Sequence, residues 1–267
     1  MVTISRRRHK LTEYKTGLGT SDADNIYLLG QDLAQDLMGK VGFGELAFWM
    51  ATKKRPTPGQ VRLFEAVLVS LADHGFTPTA IAARMTYYSA PDSIQGAIAA
   101  GLLGGGSRFL GVTEDTGKFL NQRVKDVDTS NFSEEDFKEL AISIVTEENS
   151  AKRRIPGLGH PVHKNGDPRT PVMFQIAKAE GVYGPHLALY EAIGEVHESI
   201  LGKKLPLNGA GVGGAALADL GLPIDLLRGF ALLARTAGLV GHLAEEHENP
   251  IGPDVYYSVD RNAVYEG

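Results

Sequence analysis

Cysteine is absent from this 267-residue sequence, which excludes disulfide bonds, thiolate zinc sites and a cysteine nucleophile, and which fits a reducing compartment. Long apolar runs are absent too, since no stretch reaches the ~20 residues of a membrane span. The first ten residues lack the apolar core of a signal peptide. These absences predict a soluble protein that stays in the cytoplasm.

A strongly basic surface is also lacking, because the formal net charge at pH 7 is −5. Proteins that neutralise many phosphates of a nucleic acid need such a surface. The one dense basic run lies at the N-terminus, where it is interpreted as a solvated arm; it consists of Arg6, Arg7, Arg8, His9 and Lys10. We therefore expect neither a nucleic acid nor a membrane as a partner.

Apolar residues recur every three or four positions along most of the chain, a spacing that predicts α-helices rather than strands. Thr57 and Pro58 are typical of a helix start, and that helix is predicted to stop at Gly75. Another is predicted from Ser93 to the glycines at 104–106. Further helices are predicted at 133–149, where Ser133 followed by Asp136 is typical of a helix start, and at 172–180, 186–201 and 225–248. The predicted fold class is therefore all-α.

A loop rich in proline, glycine and basic residues spans 152–170 and is the most informative segment of the sequence. Its glycines leave backbone N–H groups open to a ligand, and His160 supplies a titratable group at its centre. Its basic side chains suit phosphates or carboxylates; they are Arg153, Arg154, Lys164 and Arg169. We interpret the loop as an anion-binding site, and an exposed basic turn is the alternative.

Metal ligation by this loop is not predicted. His160 and His163 are spaced as an i, i+3 pair, but no cysteine and no clear carboxylate partner at ligand spacing accompanies them. We therefore expect no metal site.

The same loop carries a family resemblance. Residues 156–169 resemble the signature of citrate synthases, in which a glycine-bracketed histidine is followed by a lysine, an aspartate, a proline and an arginine. They are even more similar to citryl-CoA lyases and to the C-terminal module of ATP-citrate lyase. The segments 16–21, 72–75, 101–109 and 234–242 resemble this family in the same order along the chain. The sequence is therefore identified as a member of the citrate synthase superfamily.

The resemblance implies two catalytic histidines and two substrate-binding arginines. His74 would stabilise the enolate of acetyl-CoA by a hydrogen bond to the thioester oxygen. His160 would remove the proton of the substrate hydroxyl as the carbon–carbon bond breaks. Arg169 and Arg235 match arginines that hold substrate carboxylates. Without the resemblance, His74 would be interpreted as a helix-end residue that caps the last carbonyl groups.

Coenzyme A would enter as part of the substrate, and no metal or permanently bound cofactor is implied. Local charge places its phosphates near three basic residues, Arg153, Arg154 and Lys164. The backbone groups that would face its adenine belong to Gly157, Leu158 and Gly159.

The resemblance also implies two helical domains with the substrate cleft between them. The large domain would consist of residues 1–110 and 221–267, and the small inserted domain of residues 111–220. Members of the family complete their sites across a dimer interface, so a homodimer or homotetramer is expected.

Three positions depart from the family pattern. Alignment places Ala210 where the family has a catalytic aspartate, so water, or water bound by Asn208, would supply a proton to the enolate. Pro161 replaces an arginine, and no arginine that would reach a partner subunit is evident at 248–254. Fewer arginines imply fewer substrate carboxylates. The predicted activity is therefore cleavage of a 3-hydroxyacyl-CoA, such as citryl-CoA or a less charged relative, to acetyl-CoA and a 2-oxo acid such as oxaloacetate.

Three alternatives remain open. The missing aspartate also fits a degenerate homologue that binds acyl-CoA without turning it over, or a condensing enzyme that acts on a different 2-oxo acid. Residues 209–214 satisfy the G-x-G-x-x-G pattern of nicotinamide dehydrogenases, although no second strand is evident after them. Among the other histidines, His242 and His247 are interpreted as helix-surface or interface residues, whereas His9, His186 and His197 carry no functional signal.

Overall fold

The structure, a computed structural model, describes residues 13–160 and 163–267. The N-terminal basic run and Pro161 lie outside these residues, so the interpretations given for them stay predictions. The chain divides into two compact units, Met1–Arg55 and Pro56–Gly267. The large and small domains that the resemblance implies, and the oligomeric state, also stay predictions.

The described part of the first unit combines a small sheet with one helix. Its antiparallel strands are β1 (Gly19–Ser21), β2 (Ile26–Leu28) and β3 (Gln31–Asp32), and they lie side by side in that order. A π-helical turn, Leu33–Leu37, follows β3. Helix α1 (Phe43–Thr52) carries the buried Trp49, whose ring lies 5.2 Å from the guanidinium of Arg55.

The second unit is built from helices α2 to α11. They are α2 (Pro58–Ala72), α3 (Pro78–Ser89), α4 (Ile94–Leu103), α5 (Val112–Val124), α6 (Glu134–Ser150), α7 (Arg169–Ala179), α8 (Pro185–Leu201), α9 (Gly209–Asp219), α10 (Leu227–Glu248) and α11 (Gly252–Asp260). A short 3-10 turn, Ile224–Leu226, precedes α10. The predicted all-α class is confirmed in that the described chain is largely helical, with the small sheet β1–β3 as an addition that was not predicted. None of the helices seen between residues 13 and 267 is both long and apolar enough to cross a membrane.

The capping residues chosen from the sequence start the helices they were expected to start. Thr57 Oγ1 accepts the N–H of Gln60, whose side chain accepts the N–H of Thr57 in return. Ser133 and Asp136 form the same reciprocal pair ahead of α6. All six helices predicted from the sequence are present, and each begins within three residues of its predicted start.

Helix α9 lies at the centre of the second unit, and nearly all of its residues are buried. Its glycines allow a close approach of α5, since a Cβ placed on Gly214 would lie 2.0 Å from the carbonyl oxygen of Thr113. A Cβ placed on Gly211 would meet the hydroxyl of Tyr190 in α8. The small residues of α9 therefore serve helix packing.

This packing overturns the dehydrogenase alternative. Residues 209–214 lie inside α9, so they do not form a phosphate-binding turn between a strand and a helix. Leu207 makes a single antiparallel bridge with Leu158, and no strand follows α9 among the described residues. The G-x-G-x-x-G match has its origin in the small residues that α9 needs.

The contact between α5 and α9 predicts that Gly214→Ala destabilises the protein. The added methyl group would meet the Thr113 carbonyl oxygen, and overpacking of this kind costs about 1–3 kcal/mol. Urea unfolding measures the change in the free energy of unfolding. The matched control is Gly241→Ala in α10, where a Cβ meets nothing within 4 Å and helix propensity favours alanine by up to about 1 kcal/mol. Equal effects of the two substitutions would contradict this interpretation.

Candidate active site

A cavity of about 350 Å³ opens in the second unit, lined by residues from the end of α2 and from α7, α9 and α10. All five residues predicted to be catalytic or substrate-binding line it; they are His74, His160, Arg169, Asn208 and Arg235. The cavity therefore joins segments that are widely separated in the sequence.

His74 lies on the turn that joins α2 to α3. The chain turns sharply at Gly75, which has a left-handed φ of +69°, before Thr77 caps α3. The His74 side chain is exposed, and its ring centroid lies 5.9 Å from that of His160. The two imidazoles expected to act on one substrate thus converge.

His160 is held against the segment that leads into α9. The N–H of Gly159, the residue before it, donates to the carbonyl oxygen of Pro206 at 2.7 Å. The carbonyl oxygen of Gly159 accepts the side-chain N–H of Asn208 at 2.8 Å. Asn208 thereby anchors the histidine loop, and its own Oδ1 caps α9 by accepting the N–H of Gly211 at 2.8 Å.

The environment of His160 favours the neutral imidazole. Burial lowers its pKa, the neighbouring His163, Arg169 and His74 lower it further, and Asp167 opposes them. Near neutral pH, His160 is therefore able to accept a proton in a reaction.

Arg169 is positioned by a buried carboxylate that sequence reasoning missed. Asp167 accepts hydrogen bonds from Nε of Arg169 at 2.9 Å and from a terminal guanidinium nitrogen at 2.7 Å. It also accepts the N–H of Gly209, the first residue of α9, at 2.7 Å. Burial raises the pKa of Asp167, but these hydrogen bonds outweigh it and hold the pKa well below its ordinary value.

Arg235 is a buried cation that forms no ion pair within 4 Å among the described residues, although Asp73 interacts with it electrostatically. Only 5% of it is exposed, and its guanidinium donates to the Leu71 carbonyl oxygen at 3.2 Å and to the hydroxyls of Thr77 and Thr79 at 3.3 and 3.4 Å. Burial lowers its pKa. A guanidinium in this state is suited to bind an anion that enters the cavity.

Residues 22–253 match the family described as citrate synthase, C-terminal domain. The chain belongs to the citrate synthase family. Among its relatives, 2-methylcitrate synthase 1 of Corynebacterium glutamicum is 32% identical over 199 residues, which cover 71% of this chain and 47% of that protein. Citrate synthase of Deinococcus radiodurans is 28% identical over 249 residues, covering 88% of this chain and 61% of that protein. The chain spans about half the length of the curated relatives it matches.

Solved structures are similar to this chain over most of its length. Citryl-CoA lyase from Hydrogenobacter thermophilus superposes with a TM-score of 0.81 at 33% identity, covering 95% of this chain and 94% of that one. ATP citrate lyase of Methanosaeta concilii, solved with (3S)-citryl-CoA, superposes with a TM-score of 0.73 at 21% identity, covering 97% of this chain and 42% of that one. The second likeness shows the fold alone.

This member of the citrate synthase family has no aspartate or glutamate on the described wall of the cavity. Ala210, expected at the position of the family's catalytic aspartate, lines the cavity from the first turn of α9. Asp167 is close by in the fold, but its side chain is fully buried and engaged by Arg169.

A second buried network, also missed by sequence reasoning, supports the His74 turn. His242 was interpreted as a helix-surface or interface residue, and this is wrong, since only 8% of it is exposed. Its Nε2 lies 2.9 Å from Oδ1 of Asp73, and its Nδ1 accepts the Nε–H of Arg84 at 3.2 Å. Arg84 in turn pairs with Glu246 at 3.2 Å. The residue next to His74 is thereby tied to α3 and α10.

His186 and His197 play structural parts. His197 Nε2 accepts the N–H of Leu205 at 2.9 Å, and His186 Nδ1 lies 2.7 Å from Asp219. Neither lines the cavity. His247 is exposed on α10, as expected, and His9 lies outside the described residues.

The residues predicted to bind coenzyme A do not share one cavity. Arg153, Arg154 and Leu158 line a cavity of about 510 Å³, whereas Lys164 lines another of about 320 Å³. Arg153 is already paired with Glu148 at 2.7 Å. Their binding of coenzyme A stays a prediction.

The main-chain groups expected to face the adenine form hydrogen bonds within the protein. The carbonyl oxygen of Gly157 accepts the hydroxyl of Tyr190 at 2.7 Å. The N–H of Leu158 donates to the carbonyl oxygen of Ile155 at 3.3 Å, and that of Gly159 to Pro206.

The depressed pKa of Asp167 predicts a pH-dependent loss of stability in Asp167→Asn. The ionised carboxylate stabilises the fold above its unfolded pKa of about 3.9, and this stabilisation is lost as the pH falls towards the lower folded value. At pH 7 the substitution should lower the free energy of unfolding by about 3 kcal/mol, because breaking a buried pair costs roughly 3–5 kcal/mol and Arg169 is partly exposed.

Urea unfolding at a series of pH values measures this difference between wild type and variant. The difference should shrink below about pH 4. Asp126→Asn is the control, since the Asp126 side chain is 85% exposed and its nearest cation lies 3.8 Å away. A difference that stays constant down to pH 3 would be inconsistent with the proposed role of the Asp167 charge.

Proposed function

We propose that this protein is a carbon–carbon lyase of the citryl-CoA lyase type, which cleaves a 3-hydroxyacyl-CoA such as citryl-CoA to acetyl-CoA and a 2-oxo acid such as oxaloacetate. The observation that carries the proposal is the convergence of the His74 and His160 imidazoles, 5.9 Å apart, in a cavity that also holds Arg169 and Arg235. Similarity to the Hydrogenobacter thermophilus citryl-CoA lyase over 94% of that chain supports it.

In the proposed reaction, His160 accepts the proton of the 3-hydroxyl group as the carbon–carbon bond breaks, and the hydroxyl oxygen becomes the keto oxygen of the 2-oxo acid. The bonding electrons move into the thioester, whose oxygen receives a hydrogen bond from His74. Water then protonates the enolate carbon to give acetyl-CoA, and His160 returns its proton to solvent. The burial that favours a neutral His160 suits it to the first step.

The lack of a carboxylate on the described cavity wall favours cleavage over condensation. Condensation begins with removal of a proton from the methyl group of acetyl-CoA, a weak carbon acid, and this step needs a positioned base. Cleavage instead produces a basic enolate, which water can protonate. The relatives named 2-methylcitrate synthase and citrate synthase keep condensation as a second candidate.

The proposal predicts that the purified protein releases acetyl-CoA and oxaloacetate from citryl-CoA. His74→Ala and His160→Ala should each lower kcat by about 10²–10⁴-fold, because each group acts on charge that develops in the transition state. Oxaloacetate is measured by its reduction with malate dehydrogenase and NADH, and acetyl-CoA by mass spectrometry. His247→Ala is the control, because this imidazole is exposed on α10 outside the cavity.

The outcomes separate the candidates. If the protein releases acetyl-CoA from none of a panel of hydroxyacyl-CoAs, the lyase proposal is wrong. Binding of acyl-CoA without turnover, with affinity retained in both histidine variants, would identify a binding protein instead.

The buried charge of Arg235, which makes no ion pair in the described chain, predicts an effect on recognition of the acid part of the substrate. Arg235→Gln should lower kcat/KM for citryl-CoA by about 10–100-fold, since a hydrogen bond to a charged group contributes about 1.5–3 kcal/mol. Steady-state kinetics with citryl-CoA measures the loss. Arg62→Gln is the matched control, because the Arg62 side chain is 70% exposed and pairs with Glu180. If both variants keep wild-type kcat/KM, Arg235 does not hold the substrate.

A further inference from the structure

Three imidazoles, rather than two, meet beside the cavity. His163 lies with its ring centroid 4.4 Å from that of His160 and 5.7 Å from that of His74. One ligand nitrogen from each of the three side chains lies within 4.8 Å of the other two. The spacing of His160 and His163 alone did not predict a metal site, because the third imidazole comes from a distant turn.

The separations are close to those of a three-histidine metal centre. Zn–N bonds of about 2.0–2.1 Å in tetrahedral geometry place imidazole centroids roughly 5 Å apart. The observed separations of 4.4, 5.7 and 5.9 Å bracket that value. His74 is exposed and the other two are half-buried, so an ion can enter from solvent and the rings can adjust.

Two features of the surroundings act against an ion. The backbone N–H of His163 donates to Nδ1 of the His160 ring at 2.9 Å, and a metal ion bound to His160 would displace this hydrogen bond. Two guanidinium groups also line the neighbouring cavity. Their positive charge would repel a metal ion, but the charge of Arg169 is offset by Asp167 at 2.7 Å. The charge of Arg235 would favour an anion as the fourth ligand of the metal ion.

We propose that His74, His160 and His163 form a binding site for one divalent transition-metal ion of the zinc type, with a fourth position open to water or an anion. Three neutral imidazoles and no carboxylate suit zinc, cobalt or nickel better than magnesium or calcium. A bound ion would engage two of the imidazoles assigned to catalysis, so its occupancy would compete with the thioester.

Titration of the untagged, EDTA-washed full-length protein with cobalt(II) tests the site, because tetrahedral cobalt gives visible absorption bands and zinc can displace it. We expect one ion per chain. His163→Gln should weaken binding by more than about a hundredfold, since loss of an outer-sphere partner alone costs about 10–100-fold. His74→Gln is a second test at an exposed position, and circular dichroism verifies the fold of each variant.

His247→Gln is the matched control, because it removes one imidazole outside the cluster and should leave the affinity unchanged. Wild-type binding no tighter than that of His163→Gln, or an equal loss in His247→Gln, would overturn the proposal. The titration contains no substrate. Absence of metal binding therefore does not affect the lyase proposal, and absence of cleavage does not affect this one.

Discussion

The buried carboxylate of Asp167 is the contact on which the geometry of the cavity depends. It holds the guanidinium of Arg169 by two hydrogen bonds and receives the first N–H of α9 by a third. One side chain thus joins the histidine loop, the start of α7 and the start of α9. Because burial alone would disfavour its charge, the carboxylate is stable only while these donors stay in place. The position of the cavity wall and the conformation of the histidine loop therefore depend on the same side chain.

Two buried arginines differ in the partners that stabilise their charge. Arg84 is 1% exposed and pairs with both Glu245 and Glu246. Arg235 is almost as deeply buried, yet its hydrogen bonds within the described chain go to a carbonyl oxygen and two hydroxyls. Asp73 opposes the effect of burial on the pKa of Arg235 without forming an ion pair with it, and a buried charge held mainly by neutral dipoles is costly. The difference is consistent with a structural part for Arg84 and with the ligand-binding part proposed for Arg235, which lines the cavity.

Local features were predictable from the sequence, and contacts between distant segments were not. The caps at Thr57 and Ser133 were found because the residues that mark a helix start, Pro58 and Asp136, follow them by one and three positions. The placement of His74 and Arg235 in one cavity followed from the family resemblance, not from periodicity. Asp73 and His242 were missed because an exposed-looking histidine on a helix carries no local sign of its partner. The same holds for His163, whose neighbour His74 is supplied by tertiary packing.

Helix α10 carries Arg235 and His242 on one face, two helical turns apart. Between them lies Gly238, where a Cβ would stand 2.0 Å from the carbonyl oxygen of Ala72, the last residue of α2. The helix therefore packs directly against the peptide that precedes the His74 turn. Arg235 is hydrogen-bonded to the Leu71 carbonyl oxygen, and His242 to the Asp73 carboxylate. A slide or rotation of α10 would displace the Arg235 guanidinium together with the turn that carries His74, so the two roles proposed for them, acid recognition and enolate stabilisation, would be mechanically linked.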